Sequence, residues 1–197
     1  MSKEKVFEAA EKLIKLHGVE GLTIRKIAEL AGTNVASVNY YYGSKEKLVN
    51  EVLKKQFEAL SKCFKILDDQ DSDPFDRLKS FFFLYASILA EYPDLAKRVF
   101  YQENLFDSQK EYIEFIKSQG FEKLVDTIIE IVGEENTDKT MHMIPQMFAA
   151  ILFPEILGNK IFRDVLPLEQ SVELFLTHYF YQYNPVEKKK TGGPYRK

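Results

Sequence analysis

The apolar positions of residues 4–17 fall at Val6, Ala10, Leu13, Ile14 and His17. That spacing draws one buried stripe along a helix, and Gly18 supplies a stop that tolerates positive φ. Thr23 offers an N-cap to a second helix whose inner face is Ile24, Ile27, Ala28 and Ala31, closed by Gly32. Asn34 is placed to cap a short third helix. Ser44 does the same for a long fourth, which carries Leu48, Val52, Leu53, Phe57, Leu60 and Phe64. Later breaks fall in the acidic stretch 68–74 (DDQDSDP), at Pro93, around Asp107–Ser108, at Gly133–Asp138 and at Asp164–Pro167. The intervals suit helices of roughly 10 to 25 residues, and neither strand alternation nor an internal repeat is sustained.

The pattern therefore predicts an all-α chain of about nine helices, with three short ones followed by a larger helical body. The trio has too little core to stand alone and should pack on the fourth helix. The boundaries implied are 1–47 for the trio, 48–185 for the body, and a charged tail, 186–197, expected to be disordered.

The third helix raises a packing problem. In TNVASVNYYYGSKEKL, residues 33–48, three tyrosines run in succession, and consecutive helical side chains sit about 100° apart. With Val38 facing inward, Tyr42 shares its face at i+4, with Val35 nearby. Ala36 and Tyr40 then lie opposite, Ser37 and Asn39 take the flanks, and Tyr41 sits at the edge. The outer face is small and polar. Two short helices around a Gly-bearing turn, TIRKIAELAGTNVASVNYYY, fit a helix–turn–helix. On that reading Ser37 and Asn39 meet base edges and the Tyr40 hydroxyl reaches a phosphate. Arg25, Lys26 and Lys45 are placed for the nucleic-acid backbone. An exposed helix with incidental tyrosines satisfies the same pattern.

Charge adds little. The 197 residues carry a net −3 with pI near 5.7, which argues against wholesale coating of nucleic acid but not against a local basic face. The first 48 residues hold eight Lys/Arg against six Asp/Glu. The single cysteine, Cys63, excludes an intrachain disulfide and fits a reducing cytoplasm, and its helical setting favours a packed apolar residue over a redox sensor. No apolar run is long enough for a bilayer, and the first dozen residues have no apolar leader core, so a cytoplasmic protein is expected. DDQDSDP lacks the glycine and terminal glutamate of a calcium loop and reads as a capping turn. MHMIPQM, 141–147, lacks a thiolate set and reads as packing, with Pro145 and Pro154 able to free the carbonyls of Met141 and Ala150. His17, His142 and His178 lie far apart with no nucleophile pattern, and no phosphate loop is present. An enzyme is not expected, nor a cofactor or metal.

Residues 23–48, TIRKIAELAGTNVASVNYYYGSKEKL, resemble the N-terminal signature of the TetR family of transcriptional regulators. The matching parts are the Thr-led helix, IAELAG, a short recognition helix ending in aromatics, and GSKEKL opening the fourth helix. The resemblance implies a homodimer that binds a palindromic double-stranded DNA operator, most often as a repressor, and is released by a small effector. It implies DNA contacts from Thr23, Asn34, Ala36, Ser37, Asn39, Tyr40, Tyr41 and Lys45. The chain departs from the common pattern at Thr33, Asn34, Ala36 and the run Asn39–Tyr42, which leaves the role intact and the operator open.

The last two long helices, near 138–162 and 167–183, resemble the pair that forms the family's dimer interface. Their segments MFAAILFPEIL and SVELFLTHYFYQY are apolar enough for that, although an ordinary core would look similar. The central helices are rich in aromatics, and Phe81-Phe82-Phe83 cannot all face one way. Phe82, Phe83, Tyr85, Tyr101, Phe106, Tyr112, Phe115, His142 and Gln146 are the candidates to surround a hydrophobic effector, with Gln102, Glu103 and Asn104 as further polar groups. Plain packing is the competing reading for each ring. A helical dimer that acts only through protein partners is the alternative for the whole chain.

Overall fold

Capping chemistry within four residues sets the start of each early helix. In a computed structural model of the chain, which describes residues 2–100, 105–133, 137–156 and 167–181, Ser2 accepts from the Lys5 amide at 3.4 Å and opens α1 (Lys3–His17). Thr23 accepts from Lys26 N–H at 3.2 Å to open α2 (Ile24–Leu30). Asn34 Oδ1 accepts from Ser37 N–H at 2.8 Å to open α3 (Val35–Tyr42). Ser44 Oγ accepts from Lys47 N–H at 3.2 Å to open α4 (Lys45–Cys63). Each bond satisfies an amide that the helix itself leaves unpaired. A short 3₁₀ turn, Phe64–Asp68, follows. Asp73 Oδ1 then accepts from Phe75 N–H at 2.9 Å at the head of α5 (Pro74–Glu91), so an aspartate of the acidic stretch caps the helix after it. Beyond lie α6 (Pro93–Phe100), α7 (Asp107–Phe115), a π-helical turn over Ile116–Gly120, α8 (Phe121–Val132), α9 (Thr137–Ile156) and α10 (Leu168–Tyr181). Every regular element among the described residues is helical, and no helix there is long and apolar enough to cross a membrane.

The chain divides into two compact units. The first joins residues 1–61 to 88–116, and the second joins 62–87 to 117–197. A cut at 47/48 therefore does not coincide with the compact grouping: the trio shares its unit with most of α4, with α6 and with α7.

In the first unit, Val6, Ala10, Leu13 and Ile14 of α1 are buried, as are Ile27, Ala28, Val38 and Tyr42 of the next two helices. So are Leu48, Val52, Leu53 and Phe57 of α4. This is the core the trio lacks by itself. The α1 stripe ends one turn sooner than its spacing predicts, because His17 is exposed. Gly18 turns the chain at φ 69°, and Gly21 then lies so close to the His17 backbone that a Cβ there would meet it at 2.8 Å. The returning chain covers the backbone and leaves the ring in solvent. Ion pairs hold the outside: Lys55 to Glu11 at 2.9 Å, Lys15 to Glu91 at 2.6 Å, and Arg98 to Asp94 at 2.8 Å. Tyr112 stacks on Phe57 with ring centres 5.1 Å apart, and Asn50 Oδ1 accepts from Ser108 N–H at 3.0 Å.

In the second unit an aromatic cluster forms the centre. Phe64 meets Phe81 edge-on at 4.7 Å, and Phe148 lies 5.2 Å from Phe82 and 5.5 Å from Tyr85. Arg77 is buried, donating to the Leu67 carbonyl at 2.8 Å and pairing with Glu130, so its charge is matched. Cys63 is buried, and loss of hydration pushes its thiol up to about 12, as befits a packed residue. Pro145 and Pro154 both lie inside α9. Residues 157–162 and 182–183 of the expected last helices, and the tail 186–197, lie outside the described residues.

Candidate nucleic-acid interface

The α3 helix is anchored by one face and offers the other. Val38 is fully buried and Tyr42 nearly so. The Tyr42 hydroxyl donates to the Lys3 carbonyl at 3.0 Å, and the Lys3 ammonium sits 4.9 Å from its ring centre. Burial, with Glu51 nearby, pushes the Tyr42 phenol up to about 12. Tyr40 is 85% exposed, and Tyr41, half-buried, meets it edge-on at 5.5 Å. The three tyrosines thus take an inner, an edge and an outer position, as the 100° step demands.

Asn34, Ala36 and Asn39 are exposed, and Ser37 is half-buried. Asn34 spends its Oδ1 on the cap. Val35 differs from expectation: it is 40% exposed rather than packed beside Val38. Three residues along the helix amount to a rotation about 60° short of a full turn, and Val35 lies in the first turn, so the cover over Val38 does not reach it. An outward apolar residue was therefore missed.

Cations flank α3 without belonging to it, for its eight residues carry no charge. Arg25 and Lys26 are exposed on α2, although the Lys26 ammonium donates to the Gly21 carbonyl at 3.1 Å. Thr23 is exposed, with its hydroxyl engaged as the α2 cap. Gly43, at φ 74°, turns the chain from α3 into α4, where Lys45 is half-buried. Exposed Lys47 lies back over this turn, its ammonium within 3.9 Å of where a Gly43 Cβ would stand. Lys47 thus joins the candidates; its i+3 step from Ser44 was the signal that could have found it.

The residues expected around an effector are divided between the two units. Phe82 and Tyr85 are buried in the aromatic cluster of the second unit, while Phe83 is 37% exposed. His142 and Gln146 are exposed on α9, with Gln146 accepting from the Tyr179 hydroxyl at 2.6 Å. In the first unit Tyr112 is buried on Phe57, Phe115 is half-buried, and Phe106 lies 5.3 Å from the Arg98 guanidinium. Tyr101, Gln102, Glu103 and Asn104 lie outside the described residues. The second unit does hold a cleft of about 470 Å³, lined by Asp73, Pro74, Phe75, Glu130, Ile131, Thr177, Phe180 and Tyr181. None of these was a candidate. They sit at the ends of α5, α8 and α10, and nothing in their local sequence brings three helix ends together.

Residues 6–52 match the family model described as bacterial regulatory proteins, tetR family. The chain is 30% identical over 98 residues to the HTH-type transcriptional repressor KstR2 of Mycobacterium tuberculosis, covering 50% of this chain and 48% of that one. It thus spans about half the length of that relative. The solved structure of the ketosteroid transcriptional regulator KstR2 superposes with a TM-score of 0.62 at 17% identity, over 92% of this chain and 95% of that one. The fatty acid degradation regulator FadR from Bacillus halodurans superposes at 0.60 and 17% identity, over 91% and 98%. At such identity the structures speak for the fold. The family and these relatives are regulators of transcription rather than enzymes. Residues 6–52 are thus similar to the tetR family of bacterial regulatory proteins, and the chain as a whole shares its fold with the solved regulators above.

Proposed function

We propose that the protein is an effector-released transcriptional repressor that binds a palindromic operator as a homodimer. The observation that carries this reading is α3 itself, anchored through Val38 and Tyr42 and presenting Ala36, Asn39 and Tyr40 to solvent. A polar, uncharged helix face flanked by Arg25, Lys26, Lys45 and Lys47 suits entry into a major groove with the cations on phosphates. Pairing of two copies supplies two such heads, about 34–36 Å apart for one face of the duplex. Phe153 and Leu174, 57% and 60% exposed on α9 and α10, support a dimer surface there. The effector is hydrophobic, a class in keeping with the ketosteroid and fatty acid regulators that share the fold. It acts by favouring the conformation that binds DNA poorly, through a coupling of ~1–3 kcal/mol. As a reader of bacterial DNA it works in the cytoplasm.

Mobility-shift titration against the DNA flanking its own gene, at several salt concentrations, tests the reading. Salt-sensitive, sequence-selective retardation by a dimer, weakened by a hydrophobic compound that raises the melting temperature, is the expected result. Uniform absence of retardation would favour a module acting through protein partners alone.

A further inference from the structure

We infer that the stretch of operator read by α3 is rich in A·T pairs, with thymine methyl groups seated on Ala36 and Val35 and an adenine edge read by Asn39. The inference rests on the DNA-binding reading above and specifies its partner. Its basis is the chemistry α3 exposes, compared with what each base pair displays.

In the major groove guanine offers two acceptors, O6 and N7, and the usual reader is the forked donor set of arginine or the ammonium of lysine. Cytosine offers an N4 donor, read by a carboxylate. The α3 helix carries neither kind of group: its residues are Val35, Ala36, Ser37, Val38, Asn39, Tyr40, Tyr41 and Tyr42. Adenine offers a donor and an acceptor side by side, N6 and N7, and a carboxamide matches both at once. Asn39 has such a group, exposed and making no hydrogen bond among the described residues, whereas the Oδ1 of Asn34 is committed to the Ser37 amide. Thymine displays a C5 methyl, read by apolar contact. The exposed Ala36 brings the backbone close to the groove floor, and Val35 adds a branched apolar surface in the first turn, the part of a recognition helix nearest the bases.

The remaining groups do not reverse this preference. The Ser37 hydroxyl donates or accepts and fits either pair. Tyr40 and Tyr41 present ring edges and hydroxyls suited to the sugar–phosphate wall. The flanking cations Arg25 and Lys26 on α2 and Lys45 and Lys47 on α4 lie outside the helix that enters the groove, and the Lys26 ammonium is already held by Gly21. They set affinity and salt dependence without naming a base.

The test uses the full chain and a pool of random duplexes, followed by single substitutions in the best sequence. Selection should enrich half-sites whose central positions are A·T. Replacing thymine by uracil at one such position, which removes only the methyl, should weaken binding about fourfold for a buried methyl contact. Asn39→Ala, on an exposed position where alanine favours helix, should erase a discrimination of roughly 5- to 150-fold against G·C at one pair. Enrichment of G·C-rich half-sites, as a guanine-reading Arg25 would produce, overturns the inference and leaves the DNA-binding reading standing. So does indifference to uracil at every thymine combined with unchanged discrimination in Asn39→Ala. A pool that yields no enriched sequence overturns both.

Discussion

Two helices of this protein carry three consecutive aromatic rings, and they treat them differently. In α3, Tyr42 is buried, Tyr41 lies at the edge and Tyr40 is almost wholly in solvent. In α5, Phe81 and Phe82 are both buried and only Phe83 faces outward. The 100° step is the same; the surroundings are not. A helix with one packed side hides one ring in three. A helix with a wider covered face, as where Phe64 and Phe148 meet Phe81 and Phe82 of α5, hides two. The hydroxyls follow the same logic, since the buried Tyr42 finds the Lys3 carbonyl while Tyr40 needs no partner in the chain. The exposed ring of α3 comes with small polar neighbours, which makes a polar surface. The exposed ring of α5 is followed by an exposed Leu84, which makes an apolar one.

The sharpest way to break this contrast is truncation of the buried rings. Phe81→Ala and Tyr42→Ala should each lose ~3–5 kcal/mol in denaturant unfolding, because each leaves a cavity in a packed core. Equal stability of Tyr42→Ala and the parent would invert the face assignment of α3. Alkaline unfolding compares the two units again. The raised Tyr42 phenol and Cys63 thiol favour their protonated forms in the folded state, so their stabilisation is complete below the unfolded values of 10.0 and 9.0. It is lost as pH climbs toward about 12. Melting temperature should therefore fall above pH 9, and less steeply in Cys63→Ala. Tyr40→Phe should leave melting unchanged and weaken operator binding several-fold, by about 1 kcal/mol for one hydrogen bond. Lys45→Ala should cut the log–log salt slope by about 1 in the same titration.

Much of this was legible along the chain. Thr23, Asn34 and Ser44 cap the helices their positions announce, because a cap bond closes over three residues and needs nothing distant. The assignment of Tyr40 and Tyr42 followed from helical geometry plus one apolar reference, Val38. Two residues on apolar faces escaped that reasoning. His17 and Val35 both have the right spacing for burial, yet each lies in a terminal turn where cover depends on how the neighbouring chain returns. The effector candidates fared differently again. Aromatic richness marked the rings of α5 and α7, but composition cannot distribute them between two compact units.

The sequence by itself determined where helices begin and stop, and which functional groups α3 displays, since both depend on residues within about four positions of one another. Only the tertiary structure decided that residues 88–116 share a unit with the first three helices, or that Asp73, Glu130 and Thr177 meet at one cleft. Those contacts join residues tens of positions apart. They are selected by the fit of whole surfaces, a quantity that no window of the chain contains.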